Sequence, residues 1–142
     1  MENYFNMELL AVSRNESFAR SAVAAFAVEL SPTIEQLNDI KTAVSEAVTN
    51  CIVHAYDKSK PGVIYIKAAI SGRSVQIEIA DNGTGIEDVD AAMQPFFTTK
   101  PEQERSGMGF TIMKTFMDEL EVFSDRTGTR VLMKKYLGGK EA

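Results

Sequence analysis

Three polar residues at four-residue intervals, Glu46, Asn50 and His54, followed by two glycine-rich turns, constrain this chain more than any other feature. The turns are Asp81-Asn82-Gly83-Thr84-Gly85 and Ser106-Gly107-Met108-Gly109-Phe110. Residues four apart on a helix lie one above the other on the same surface. A carboxylate and an amide can therefore meet one phosphate group there, while the glycines let backbone approach a nucleotide. The pattern points to an ATP-handling domain.

Composition narrows the setting. At 142 residues, one domain is expected over residues 1–142, burying roughly 68–70% of the surface that the unfolded chain exposes. Hydrophobic residues make up 44% and charged residues 25%, as in ordinary globular proteins. A net charge of −5 gives no broad basic field, so nucleic acid is not an expected partner. The lone cysteine, Cys51, lies in an apolar helical run and reads as a small buried hydrophobe. The opening MENYFNMELL lacks the basic segment of a signal peptide. No stretch approaches the roughly 20 apolar residues that span a bilayer, so a cytoplasmic protein is expected, with no membrane partner.

Periodicity supplies the organisation. Tyr4 to Ser13 reads as a strand, and Asn15 as the cap of a helix from Glu16 to Leu30, interrupted by Ser31-Pro32. Thr33 and Gln36 form a capping box for a second helix reaching about Tyr56. Its apolar stripe is Leu37, Ile40, Val44, Ala47, Val48, Cys51, Ile52 and Ala55. At about 100° per residue, Glu46 points largely away from that stripe, whereas Asn50 and His54 approach its edge. Val63 to Ala80 reads as a hairpin turning at Ser71-Gly72-Arg73-Ser74. A short helix is expected within residues 86–93, and a lid at 95–107. After Gly109, the residues Phe110, Met113, Phe116, Met117 and Leu120 recur at helical spacing. Two last strands are joined through Arg126-Thr127-Gly128. This order predicts a two-layer α/β sandwich with a mixed, mainly antiparallel sheet, unlike the alternating pattern of a dinucleotide fold.

Each marked residue has a chemical reading and a plainer one. Asp81 can accept the adenine amino hydrogen, with Gly83 and Gly85 permitting a close turn; Asp-Asn-Gly is also a common hairpin turn. Gly107, Met108 and Gly109 precede a helix, where backbone N–H groups can cradle phosphate; the same glycines would serve an ordinary joint. Asn50 can give an oxygen to Mg2+, and Glu46 can deprotonate a hydroxyl nucleophile; both also suit an exposed polar face. Arg105, and more weakly Lys100, can neutralise a terminal phosphate in transfer, or can be solvated cations. His54 reads as a structural hydrogen-bonding group.

In combination, EAVTNCIVHAY, DNGTG, PFFTTKPEQERSGMGFTIMKTFMDELEVFSD and RTGTRV closely resemble the histidine-kinase-like ATPase superfamily with its Bergerat ATP-binding fold. Within it they resemble the anti-sigma serine kinases of endospore-forming bacteria, over nearly the whole chain. The resemblance implies that Glu46 is the catalytic acidic residue and Asn50 the magnesium-linked asparagine. It makes Asp81, Gly83 and Gly85 the adenine turn, with Thr129 at the base pocket. Arg105 becomes a lid arginine near the terminal phosphate, with Gly107 and Gly109 contacting phosphate.

The same resemblance implies a homodimeric protein-serine/threonine kinase that uses ATP with Mg2+ and whose ADP-bound form can be retained by its antagonist. Its partners would be a sporulation sigma factor, which it sequesters, and an anti-anti-sigma protein, which it phosphorylates on serine. Arg20 matches a partner-facing position; on the residues alone it is a solvated helix arginine. The chain has no additional helical region carrying a phosphoacceptor histidine, which favours an external serine. Two alternatives stand beside this: a nucleotide-controlled sigma-binding protein with little kinase activity, and a general-stress anti-sigma kinase.

Overall fold

The computed structural model describes residues 2–55, 62–83, 93 and 109–138, with residues 54 and 55 as backbone. Five strands form one sheet: β1 (Asn3–Leu10), β2 (Val63–Ser71), β3 (Ser74–Asp81), β4 (Glu119–Asp125) and β5 (Gly128–Tyr136). Their order is β1-β2-β3-β5-β4. All four pairings are antiparallel, so the described sheet has no parallel component. Three α-helices pack against it: α1 (Arg14–Ala27), α2 (Ile34–Asn50) and α3 (Gly109–Phe116). This is the expected two-layer α/β sandwich.

Alternation decides which face is covered. On β2, Ile64, Ile66, Ala68 and Ile70 are buried, and on β3, Val75, Ile77 and Ile79. Their neighbours Tyr65, Lys67, Gln76 and Glu78 take the opposite side, because successive strand residues point to opposite faces. The helices answer with small residues, Ala19, Ala24 and Ala27 on α1 and Ala43 and Ala47 on α2. Short side chains let helix axes approach closely, and Ile40, Val44 and Val48 fill the space toward the sheet. Each of these larger side chains contributes about 1.5–3 kcal/mol on full burial. Phe5 of β1 meets Phe26 of α1 edge to face, with centroids 5.0 Å apart.

Local chemistry sets most of the boundaries. The Thr33 hydroxyl accepts from Gln36 N at 3.0 Å, and Gln36 Oε1 accepts from Thr33 N at 2.9 Å, closing the expected capping box. A short 3-10 turn, Val28–Leu30, ends in Ser31 at φ 52°, a left-handed conformation that halts the helical path before Pro32. In the β2–β3 hairpin, Gly72 at φ 60° occupies the first turn position, as a type II′ turn requires. Lys135 is buried and donates to Phe116 O at 2.6 Å, placing a cation on the last carbonyl of α3. Asp39 on α2 lies 3.5 Å from the same ammonium.

Several expectations need correction. Asn15 does not cap α1: the helix begins at Arg14 after Ser13, without a side-chain cap bond, and Asn15 Nδ2 donates back to Leu10 O. The second helix is α-helical only to Asn50 and continues as a π-helical segment, Cys51–Ala55. Leu120 belongs to β4, because α3 stops at Phe116. The helix expected within 86–93, apart from Met93, and the lid at 95–107 lie outside the described residues. Among the described residues no helix is long and apolar enough to cross a membrane.

Thr33→Ala removes one half of the capping box and should lower the unfolding free energy by about 1 kcal/mol. Urea denaturation measures this directly. An unchanged midpoint would mean that the box contributes nothing in solution.

Candidate nucleotide site

The C-terminal half of α2 touches both of the glycine-rich elements. At the start of α3, a methyl group on Gly109 would sit 3.3 Å from Glu46 Oε1 and 3.5 Å from Asn50 Oδ1. A β-carbon there would press closely on Glu46 and touch Asn50, so glycine gives this approach the most room. Glu46 and Asn50 are half-buried, so Glu46 is drawn against α3 rather than left on an open polar face. The Asn50 Nδ2 atom is buried without a hydrogen-bond partner, an arrangement that costs about 1–3 kcal/mol. Such an orphan beside a helix start is an unusual use of a buried amide.

At the other end, Asp81 closes β3 and is buried. Its Oδ1 accepts from Gly83 N at 3.0 Å and from Thr129 N at 3.2 Å. Thr129 stands opposite Asp81 in the β3–β5 register, and its hydroxyl lies 2.8 Å from Ser124 Oγ. Gly128, at φ 143°, passes directly over the Asp81 carbonyl, where any β-carbon would collide. Burial pushes the Asp81 carboxyl above its ordinary pKa, and the donors from Gly83 and Thr129 offset part of that rise. Burial, with the neighbouring Asp81 charge, raises the Cys51 thiol well above its usual value.

The structure thus brings Glu46, Asn50 and Gly109 together, and Asp81, Gly83 and Thr129 together. Arg20 lies on α1, where its guanidinium donates to Glu16 Oε2, Ser17 Oγ and Ser45 Oγ, each at 3.3 Å. It is therefore tied to α2 one residue before Glu46. Gly85, Lys100, Arg105, Gly107 and Met108 lie outside the described residues, and His54 is described as backbone only. Sequence reasoning did not single out Ser124 or Gly128 as site residues, although the Arg-Thr-Gly turn signalled Gly128; Cys51 is buried in the core, as its apolar stripe predicts.

Residues 11–135 match the model of the histidine kinase-like ATPase domain. The chain belongs to that family. It also belongs to the anti-sigma F factors within it. The protein of that name from Thermoanaerobacter sp. (strain X514) is 61% identical over 137 residues, covering 96% of this chain and 95% of the relative. The anti-sigma F factor of Clostridium kluyveri (strain ATCC 8527) is 56% identical over 135 residues, 94% of each chain. Among solved structures, the RsbU and RsbW domains of Rv1364c from Mycobacterium tuberculosis align with a TM-score of 0.72 at 18% identity. That alignment covers 97% of this chain and 33% of the other. The catalytic domain of histidine kinase ThkA aligns at 0.60 and 14% identity, covering 96% and 97%. These two likenesses speak for the fold.

Asp81→Asn separates stability from recognition. Burial makes folded Asp81 hold its proton more tightly than in the unfolded chain, so this residue subtracts stability as pH rises from the unfolded carboxyl pKa through the raised folded one. Asparagine keeps an oxygen for Gly83 and Thr129 without the buried charge. At neutral pH the variant should melt no lower than the unsubstituted protein, with any gain fading below about pH 4, while ATP binds more weakly. A marked loss of thermal stability at neutral pH, or unaltered ATP affinity, would count against this account.

Proposed function

We propose that the chain is an ATP-dependent protein-serine kinase and anti-sigma factor. It holds a sporulation sigma factor and phosphorylates that complex's anti-anti-sigma antagonist on serine. The observation that carries the kinase reading is the carboxylate of Glu46 set beside Gly109 at the start of α3, with Asn50 one helical turn further on. A helix start offers backbone N–H groups to phosphate, and a carboxylate there can serve an incoming hydroxyl. The kinship with anti-sigma F factors across 96% of the chain supports the choice of partners. Residues 1–142 act as one domain, in the cytoplasm and as a homodimer.

The reaction follows from these placements. Glu46 takes the proton of the acceptor serine hydroxyl. The serine oxygen forms a bond to the terminal phosphorus of ATP as the bond to the bridging oxygen breaks, and ADP leaves with that electron pair. Gly107, Met108 and Gly109 line the phosphates, while Arg105 and, more weakly, Lys100 offset their charge. Asp81 takes the adenine amino hydrogen, and Gly83, Gly85 and Thr129 shape the turn around the base.

Magnesium suits this donor set. Among the described residues no three His, Cys, Asp or Glu side chains converge as a metal cage. Magnesium needs no such cage, and one or two protein oxygens with phosphates and water would hold it. Asn50 would hold it through its amide oxygen, and the bound ion would neutralise phosphate charge.

Incubation with Mg2+, ATP labelled on its terminal phosphate and the antagonist protein tests the proposal. Label should appear on an antagonist serine. Glu46→Gln should cut the transfer rate by about 10²–10⁴-fold while ATP still binds. Full transfer by a folded variant would remove Glu46 from the mechanism. Absence of label despite bound ATP and antagonist would leave a nucleotide-gated sequestering protein.

Arg20→Glu reverses the charge at the α1 surface and should weaken antagonist and sigma binding by at least about tenfold, the range of lost charge-assisted bonds. ATP affinity should remain as it was. Pull-down or calorimetry decides, and unchanged partner affinity would reject the assignment.

A further inference from the structure

Both ends of α3 meet α2. Gly109, at its start, lies against Glu46 and Asn50. Phe116, at its close, gives its carbonyl oxygen to the Lys135 ammonium at 2.6 Å, and that ammonium stands 3.5 Å from Asp39 of α2. Asp39 and Glu46 are about two helical turns apart, as are Phe116 and Gly109, so α3 runs back along α2 with a polar contact at each end. Between these ends lies the fully buried Met113, in the core that also holds Ala43 and Ala47. Lys135 itself is only 8% exposed, and a buried cation needs partners of this kind. It comes from β5, the strand that carries Thr129 opposite Asp81. One ammonium thus joins α2, α3 and the sheet.

We infer that Lys135 is a positioning residue for phosphate transfer, its ammonium holding α3 against α2 so that Gly109 stays beside Glu46 and Asn50. The inference rests on the reading of that cluster as the phosphate site. At about 1.5 Å per residue, α3 is about 12 Å long, so a tilt of only about 5° about one end moves the other by about 1 Å. A misplacement of that size can cost about 100-fold in rate. The ammonium opposes the tilt in two directions, toward Phe116 O and toward Asp39. Separate bonds hold the chain beyond α3: Asp118 N donates to Lys134 O at 2.9 Å, and Asp118 Oδ2 accepts from Tyr136 N at 2.7 Å. These keep that stretch on β5 without the ammonium, so its loss should loosen the helix rather than abolish the fold. A lysine of purely structural value predicts something different. Its removal would lower the melting temperature and leave turnover by the folded protein as it was.

The test measures phosphate transfer to the antagonist protein, ATP affinity and thermal unfolding for the full chain with Lys135→Met, Lys135→Arg or Asp39→Asn, with transfer read well below each melting temperature. Methionine keeps an unbranched stem without the charge. It should lower kcat by about ten- to 100-fold and ATP affinity by less than about threefold, because alignment counts for more in the transition state than in the bound ground state. Arginine restores a cation and should recover most of the loss. Asp39→Asn leaves the Phe116 bond in place and should lower kcat by about three- to tenfold, the size of one weakened hydrogen bond. Two results would overturn the inference: an unchanged kcat in folded Lys135→Met, or an arginine variant as slow as methionine. Should Lys135→Met fail to fold, an unchanged kcat in Asp39→Asn overturns it instead. In each of these cases the unsubstituted protein still transfers phosphate, and Lys135 alone loses its role. If the unsubstituted protein transfers none, the reading of Glu46 and Gly109 falls as well.

Discussion

A buried carboxylate at the end of β3 must be hydrogen-bonded, and much of the described site is arranged to meet that demand. Asp81 draws a donor from its own turn at Gly83 and one from the opposite strand at Thr129. Each requirement propagates. The Thr129 bond requires the β3–β5 register that sets Asp81 against Thr129, and a one-residue slip would turn the opposing side chains to the other face. The close passage over the Asp81 carbonyl requires glycine at 128. A buried acid left with fewer donors would be costly, so the motif and the fold specify one another.

The second glycine contact makes the opposite trade. Where Asp81 is well supplied, Asn50 Nδ2 lacks a partner. Burial of Ile40, Val44 and Val48 on the same helix readily outweighs that single deficit, at about 1.5–3 kcal/mol for each side chain. One helix can thus carry a firmly packed side and an under-supplied polar edge. That edge lies against Gly109, where α3 begins. Change from α- to π-helical winding falls at Cys51, between these two environments, and such local changes often occur at functional sites.

Features governed by near neighbours were legible in the sequence. The Thr33–Gln36 box, the Gly72 turn and the alternation of β2 and β3 depend on residues within a few positions of one another, and all appear as expected. The pairing of Glu46 and Asn50 was legible for the same reason, since it follows from helical spacing. Asn15 misled because a cap residue competes with other nearby acceptors, and here Leu10 O wins. Leu120 misled because its spacing suits a helix, yet Lys135 seals α3 at Phe116 and the chain turns into β4. Cys51 was legible because periodicity reports burial: its place in the apolar stripe predicts a core position, and it is buried there.

Helical spacing explains how one element gathers several attachments. Glu46 and Asn50 lie one turn apart, both against Gly109 at the start of α3. Arg20 adds another attachment through Ser45, immediately before Glu46. A partner that engages Arg20 must act on a side chain already bound to the helix that carries Glu46. On the proposed function, this places protein docking and the carboxylate for serine on a single run of α2 from Ser45 to Asn50, held at its far end by the Thr33 cap.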